Sequence, residues 1–175
     1  VGCSYKTAPV ELRERLAVPA EAIQETLGAL RVAPGIDEAM LLSTCNRVEV
    51  YAVSHDPATS GPAIAALLGA RRGVAAEELE PALYELADRE AVAHIFSVTA
   101  SLDAMVVGEA QIVGQVKDAF AAATQAKTVA PLLSRCLQRA FTAAKRVRTE
   151  TEIARHPVSV ASVASDLASR VFGEL

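Results

Sequence analysis

The spacing of apolar residues changes near residue 87, and this change limits the folds that the chain can adopt. Up to that point, apolar runs of strand length alternate with segments of helical spacing, whereas every repeat beyond it has helical spacing. The sequence therefore predicts an α+β protein, with an α/β subdomain over 1–87 and an all-helical subdomain over 88–156. Residues 157–175 are expected to begin a long linker helix.

The first subdomain is expected to have the order β-α-β-β-α-β, which is the ferredoxin-like arrangement. Its two helices are expected to open at Pro19 and Pro62, because a proline at the first helical position sacrifices no hydrogen bond. The expected strands cover residues 1–5, 38–44, 47–52 and 82–86.

The second subdomain is expected to contain three helices and the start of a fourth. Asp88 is expected to cap the first, Gly108 precedes the second, and Pro131 opens the third. The expected spans are 88–99, 109–127, 131–150 and 158–171. The apolar face of the third comprises Leu133, Leu137, Ala140, Ala144 and Val147.

Composition indicates a cytoplasmic protein that has no membrane segment. No apolar run approaches the ~18 residues of a membrane span, and no basic stretch followed by an apolar one indicates a signal peptide. The chain has three cysteines with no C-x-x-C spacing, which argues against a disulfide framework and against a zinc site. We therefore expect a reducing compartment and no metal.

Positive charge is concentrated in one segment of an acidic chain. The net charge is -4, yet residues 131–156 hold six Lys or Arg against two Glu. Such a basic stripe can bind the phosphates of a nucleic acid, or it can be the solvated face of a helix. Charge alone leaves both interpretations open.

The pentapeptide 43–47, Ser-Thr-Cys-Asn-Arg, follows an apolar run and is where a strand would present a nucleophile. A cysteine reacts as the thiolate, and because a free thiol has a pKa of about 8.5, a nearby cation must favour the charged form. Arg47 is such a cation, two residues from Cys45. The alternative is that Cys45 is only a small buried apolar residue.

Several strings of the sequence together resemble one enzyme family. They are KTAPVELRE (6–14), STCNR (43–47), AHIF (93–96), LDAMVVGEAQIVGQVK (102–117) and KRVRTET (145–151). Their identity, order and spacing resemble glutamyl-tRNA reductase, the family that begins tetrapyrrole synthesis from glutamate. The resemblance covers essentially the whole chain.

The resemblance implies a reaction in two steps. Cys45 matches the nucleophile that attacks the ester of glutamate charged on tRNA, and NADPH then reduces the resulting thioester to glutamate 1-semialdehyde. Thr44, Asn46 and Arg47 match its neighbours in the substrate pocket. A guanidinium such as that of Arg47 is suited to binding the γ-carboxylate of the substrate.

The resemblance also implies roles for residues outside the pentapeptide. His94 matches a histidine needed for full activity, as a general base or as a group that positions the ester. Glu109, Gln111 and Gln115 match polar residues of the glutamate pocket, and Ala104 stands where the family usually has serine. From the residues alone, a histidine such as His94 on an apolar helix is more often a core residue, and the three polar residues could form the solvent face of a helix.

Family members continue into an NADPH-binding domain and a dimerisation domain, for which residues 1–175 leave no room. The sequence contains neither G-x-G-x-x-G nor G-x-x-x-x-G-K, so we expect no cofactor-binding residue in this chain. The resemblance implies glutamyl-tRNA as substrate, a homodimer at full length, and glutamate-1-semialdehyde aminomutase as a partner for product transfer.

We expect the chain by itself to form or hydrolyse the thioester without reducing it. Two other functions fit the same residues. One is a non-catalytic tRNA-binding module that uses the basic helix from Pro131 to Glu150, and the other is a cysteine hydrolase with a Cys45/His94 pair.

Overall fold

The protein is built around a small antiparallel sheet. The computed structural model describes residues 1–154, 168, 169 and 171. The strands are β1 (Gly2–Ser4), β2 (Ile36–Ser43) and β3 (Arg47–Ser54). They lie in the order β1-β3-β2, so that β3 is central. In this register Cys3 of β1 pairs with Val48, and Leu41 of β2 pairs with Val50.

Helices make up most of the remaining described chain. They are α1 (Val10–Leu16), α2 (Ala20–Arg31), α3 (Pro57–Arg72), α4 (Ala76–Leu79), α5 (Asp88–Thr99), α6 (Gln111–Gln125) and α7 (Pro131–Glu150). Short 3₁₀ turns cover Glu80–Ala82 and Glu152–Ala154. The mixed α+β class expected from the sequence is confirmed.

The fourth strand of the ferredoxin-like order is reduced to a single bridge. Tyr84 pairs with Gly2, with N–H to carbonyl distances of 2.8 and 3.0 Å. This pair places residue 84 beside β1, where the ferredoxin-like order puts its last strand. Gly2 allows the close approach of strands here, because a Cβ would lie 2.5 Å from the carbonyl oxygen of Val48.

The expected starts of two helices, α3 and α6, were wrong, as was the expected cap at Asp88, and α1 was not expected at all. Helix α3 begins at Pro57, and Pro62 lies inside it. Asp56 is the residue before the first turn: its carboxylate accepts a hydrogen bond from the Thr59 hydroxyl at 2.6 Å, and its backbone carbonyl accepts one from the Ser60 N–H at 3.0 Å. Asp88 is the first residue of α5 and not its cap. Helix α6 begins at Gln111, two residues later than expected.

Helix α7 matches its expected span of Pro131–Glu150. Its expected apolar residues are buried as predicted except for Val147, which is half-buried. Of the linker helix expected within 157–175, residues 168, 169 and 171 are helical, and the rest lies outside the described residues. No helix in the described part of the chain is both long enough and apolar enough to cross a bilayer.

Helices cover both faces of the sheet. Helices α2 and α6 both pack on β2, while α1, α3 and α7 contact β3. Residues 39–42 of β2 are all buried, as expected for a strand with both faces covered. One hydrophobic cluster continues from the sheet into α5, α6 and α7. The subdomain boundary near residue 87 stays a prediction.

A buried carboxylate joins the sheet to α7. Glu38 on β2 accepts hydrogen bonds from the backbone N–H groups of Ala130 at 2.8 Å, Leu132 at 3.1 Å and Leu133 at 2.9 Å. The first N–H groups of a helix have no partner within the helix, and its N-terminus favours negative charge. Glu38 therefore caps α7 from a strand more than ninety residues earlier in the chain.

Replacing Glu38 with alanine should destabilise the protein strongly. The substitution leaves three N–H groups at a buried helix end without their acceptor, so we expect the free energy of unfolding to fall by about 2–4 kcal/mol. Urea denaturation followed by circular dichroism measures this loss. Glu25→Ala, at an exposed position on α2, is the matched control. A loss no larger than in that control would contradict the capping role.

Candidate active site at the β2–β3 turn

Cys45 lies in the three-residue turn 44–46 that connects β2 to β3, and it is exposed. The backbone N–H of Thr44 donates to the carbonyl of Arg47 at 2.8 Å. The Thr44 hydroxyl accepts from the N–H groups of Asn46 at 3.2 Å and of Arg47 at 3.1 Å. Thr44 thus fixes the shape of the turn, and the thiol is left accessible.

Residues of the N-terminal segment also donate hydrogen bonds to this turn. Arg13 of α1 is buried, and its guanidinium donates to the carbonyls of Cys45 and, at 3.2 Å, of Ala8. The backbone N–H of Tyr5 donates to the carbonyl of Asn46 at 2.8 Å. Arg13 was not predicted as a site residue, because its only signal in the sequence was its place in the string 6–14.

Among the residues that the structure describes, Arg47 is the largest fully buried side chain, with 1% of its surface exposed. Its Nη1 lies 2.8 Å from Oε1 of Glu49 and 3.5 Å from Oδ2 of Asp103, and its Nη2 donates to the carbonyl of Asp103. Burial lowers the pKa of Arg47, but the negative charge of Glu49 and other neighbours outweighs it, and the pKa is raised. The guanidinium is therefore charged, and it contacts both Glu49 and Asp103.

Glu49 is the acceptor at the centre of this cluster. Its carboxylate receives hydrogen bonds from Arg47, from the hydroxyls of Tyr51 and Tyr84, and from Nε2 of His94 at 2.9 Å. Burial alone would raise the pKa of Glu49, but the hydrogen bond from His94 and the charge of Arg47 lower it to about 2. Glu49 is thus an ionised carboxylate in the protein interior.

His94 faces a carboxylate with each of its ring nitrogens. Nε2 contacts Glu49, and Nδ1 lies 3.7 Å from Oδ2 of Asp103. The ring also stacks on Tyr51, with centroids 6.3 Å apart, and meets the edge of Tyr84 at 5.5 Å. In the described part of the chain no hydrogen bond joins His94 to Cys45, so the expected role as general base stays a prediction.

Asp103 is a second carboxylate at the site. One of its oxygens pairs with Nζ of Lys6, and the other lies near Arg47 and His94. Burial raises the pKa of Asp103, but the hydrogen bond from Lys6 and the charge of Arg47 outweigh it, so the pKa is lowered. The same hydrogen bond raises the pKa of Lys6. Asp103 therefore lies among three basic side chains.

Stability should depend on pH through Glu49. The pKa of this carboxyl falls from an ordinary 4.5 to about 2 on folding. Its contribution is therefore complete above the unfolded value and is lost as the pH falls through the folded value. We expect the free energy of unfolding to decrease by roughly 3 kcal/mol between pH 5 and pH 2 from this group. Urea titrations across that range measure the loss.

The Glu49→Gln variant serves as the control for this pH dependence, because its amide does not titrate. Its stability should vary less steeply between pH 5 and pH 2 than that of the unaltered protein. Parallel curves for the two proteins would show that Glu49 is not the group responsible.

The three polar residues of the expected glutamate pocket do not join this cluster. Glu109 is buried, and its carbonyl accepts from the hydroxyl of Ser101 at 2.7 Å. Gln111 is exposed at the start of α6, and Gln115 is half-buried one turn later. Within the described residues no hydrogen bond links them to Cys45. Their role in substrate binding stays a prediction.

Two further observations concern possible ligand sites. A cavity of about 370 Å³ lies beside Glu49 and His94, between β3, α3, α5 and the start of α7, and its lining does not include Cys45. Among residues 1–154, 168, 169 and 171, no cluster of three or more His, Cys, Asp or Glu could hold a metal ion.

The family model and the known proteins that this chain resembles all carry the name of one enzyme. Residues 1–151 match the family model described as the N-terminal domain of glutamyl-tRNAGlu reductase. The chain is 49% identical over its whole length to glutamyl-tRNA reductase of Syntrophotalea carbinolica, and it covers 40% of that protein. The same enzyme of Stenotrophomonas maltophilia is also 49% identical, with 39% of its length covered.

A solved structure gives the same result. Glutamyl-tRNA reductase from Methanopyrus kandleri superposes with a TM-score of 0.66 at 33% sequence identity. The match covers 99% of this chain and 40% of that one. The chain therefore spans about two fifths of the length of the relatives that it matches.

Proposed function

Because the chain belongs to the glutamyl-tRNA reductase family, in the part described as its N-terminal domain, we propose that it carries out the acyl-transfer half of that family's reaction. The substrate is glutamate esterified to tRNA, and the product on this chain is a glutamyl thioester. Attachment through sulfur makes the acyl group more electrophilic than the oxygen ester.

The chemical step uses Cys45 as the nucleophile. Its thiolate forms a C–S bond with the ester carbonyl carbon, and the C–O bond to the terminal ribose breaks. The released tRNA hydroxyl takes up a proton. The observation that carries the proposal is that Cys45 is exposed on a turn fixed by Thr44 and Arg13, since a nucleophile must be both accessible and held in place.

Conversion to glutamate 1-semialdehyde then requires a hydride, which NADPH supplies when bound. This sequence lacks the glycine-rich phosphate loops that commonly bind a dinucleotide. We therefore assign reduction to the longer proteins of the family. The pathway position, at the start of tetrapyrrole synthesis, follows from the same family membership.

We assign tRNA contact to the basic residues of α7. Arg135 and Arg139 are exposed and lie on one face of the helix, followed two turns later by Arg146, which pairs with Glu150 at 2.9 Å. Exposed cations along a helix can bind a phosphate backbone. We expect Arg135→Gln combined with Arg139→Gln to weaken tRNA binding and to reduce its dependence on salt concentration, as measured by filter binding.

Other proposals rest on family membership alone. They are a homodimer at full length and product transfer to glutamate-1-semialdehyde aminomutase. One observation supports the proposal of a cytoplasmic location. All three cysteines are free, which is usual in a reducing compartment.

The test is an acid-quench experiment with tRNA that carries radiolabelled glutamate. We expect a base-labile label on the protein after denaturing electrophoresis. A parallel assay with a simple glutamyl ester identifies the alternatives. Rapid turnover of that ester without tRNA would indicate a cysteine hydrolase. Binding of tRNA with neither label nor release of glutamate would indicate a non-catalytic binding module.

A further inference from the structure

Arg13 is a buried cation that forms no ion pair with any residue that the structure describes. Its surface is 8% exposed, and its guanidinium donates from Nε to the carbonyl of Ala8 at 3.2 Å and from Nη1 to the carbonyl of Cys45. Arg47, by contrast, pairs with the carboxylate of Glu49 at 2.8 Å. The charge of Arg13 is held against two backbone carbonyls instead.

Packing of α1 does not account for a cation at this position. Burial of a charged group is costly unless strong contacts offset the loss of water. An apolar residue would fill the same space without this cost, as Leu12 and Leu16 do on the same helix. The bond to Ala8 reaches five residues back along the chain, whereas the bond to Cys45 spans 32 residues and ends on the residue that carries the thiol.

The turn that carries Cys45 is held from inside and from outside. Inside it, the hydroxyl of Thr44 accepts from the two N–H groups that follow Cys45. From outside, the N–H of Tyr5 donates to the carbonyl of Asn46 at 2.8 Å, and Arg13 donates to the carbonyl of Cys45. The first of these outer bonds is backbone to backbone. Arg13 therefore provides the outer hold that depends on a side chain.

A hydrogen bond to this carbonyl restricts where the sulfur lies. The carbonyl group and the side chain of Cys45 branch from the same α-carbon, so a fixed carbonyl limits the direction of the Cα–Cβ bond. The guanidinium of Arg13 is planar and is anchored through Nε to Ala8, which leaves Nη1 little freedom. A displacement of about 1 Å at a reacting group can cost about 10²-fold in rate. The bond from Arg13 is thus placed where it can set the rate of the reaction.

We propose that Arg13 is a positioning residue for the nucleophile, which holds Cys45 so that its sulfur meets the ester carbonyl of the substrate. This inference rests on the proposed function and adds to it a residue that does not touch the substrate. Because Arg13 acts through Cys45, its loss lowers the rate of acylation and leaves the affinity for glutamyl-tRNA unchanged. If Arg13 only stabilised the fold, the folded variant would be acylated at the ordinary rate.

The first experiment measures acylation of Arg13→Gln over a series of glutamyl-tRNA concentrations. We expect the rate at saturation to fall about 10²-fold and the half-saturating concentration to stay within about twofold. Arg15→Gln is the matched control, because Arg15 lies on the same helix but is exposed and pairs with Glu78 at 2.5 Å. This control should be acylated at the rate of the unaltered chain.

If Arg13→Gln does not fold, Arg13→Lys takes its place in the same assay. Lysine keeps the buried charge but lacks the planar fork that spans both carbonyls, so we expect a loss of about tenfold. A saturating rate in the folded variant equal to that of Arg15→Gln would overturn the proposal. An unchanged saturating rate with a higher half-saturating concentration would also overturn it, since a substrate contact behaves in that way.

Amide hydrogen exchange followed by NMR tests the hold on the turn without tRNA. In the Arg13 variant, the N–H of Asn46 should exchange at least about tenfold faster, because the turn opens more often. The N–H of Val50, which donates to the carbonyl of Val1 at 2.8 Å within the sheet, should be unaffected. Unchanged exchange at Asn46 would overturn the proposal. Absence of acylation in the unaltered chain would refute the proposed function and leave the exchange result intact, so the two failures are distinguishable.

Discussion

Replacing Cys45 with serine should reduce acylation of the protein by glutamyl-tRNA by at least about 10³-fold. A hydroxyl needs a base to become a nucleophile, and the candidate base, His94, is engaged with Glu49 at 2.9 Å. The substitution preserves the turn, because Arg13 and Thr44 hold it through backbone groups that serine retains. The rate of label incorporation from radiolabelled glutamyl-tRNA measures the effect.

The matched control for this prediction is Cys136→Ser. Cys136 is half-buried on α7, lines the cavity beside His94, and has a pKa raised by burial, as expected for an unreactive thiol. It should be acylated neither in the unaltered chain nor in the Cys45 variant. Persistent label on Cys45→Ser, or loss of label in Cys136→Ser alone, would place the nucleophile elsewhere.

Replacing Glu49 with alanine should cause the largest loss of stability among single substitutions at the site. The change leaves the charge of Arg47 buried without its closest carboxylate, and removing one partner of a buried ion pair costs about 3–5 kcal/mol. It also removes the acceptor of the Tyr84 hydroxyl and of His94. Urea denaturation at pH 7 measures the difference.

Glu150→Ala is the control for this second prediction. Glu150 also pairs with an arginine, Arg146, at 2.9 Å, but both side chains are exposed. Solvent screens such a pair, so the unfolding midpoint of this variant should be unchanged. Similar losses in the two variants would mean that burial does not determine the strength of the Glu49 pair.

Much of the fold could be predicted because its signals are local. A proline at the first position and apolar residues at helical spacing were sufficient to identify α7 from Pro131 to Glu150. The same proline rule placed the start of α3 at Pro62, because the rule alone does not choose between two nearby prolines. The choice of Pro57 depends on hydrogen bonds to Asp56, which periodicity does not reveal.

The site was less predictable than the fold. The sequence identified Cys45, Arg47 and His94, but not Glu49, which connects the last two. On β3, the alternation of polar and apolar residues is typical of a strand with one solvent face. Residues 47–50 of β3 are instead all buried, and the partners of Glu49 come from positions up to 45 residues away. Pairing over such a distance leaves no local pattern.

Through Glu38, the connection between α6 and α7 affects the position of the Cys45 thiol. The strand β2 ends at the Cys45 turn, and at its start it is tied to the beginning of α7 by Glu38 and by the Ala39 N–H, which donates to the carbonyl of Thr128 at 2.7 Å. A change in the length of the segment 126–130 would therefore shift the position of β2 relative to α7. Evolution can lengthen many surface loops freely, but here an insertion would displace the nucleophile.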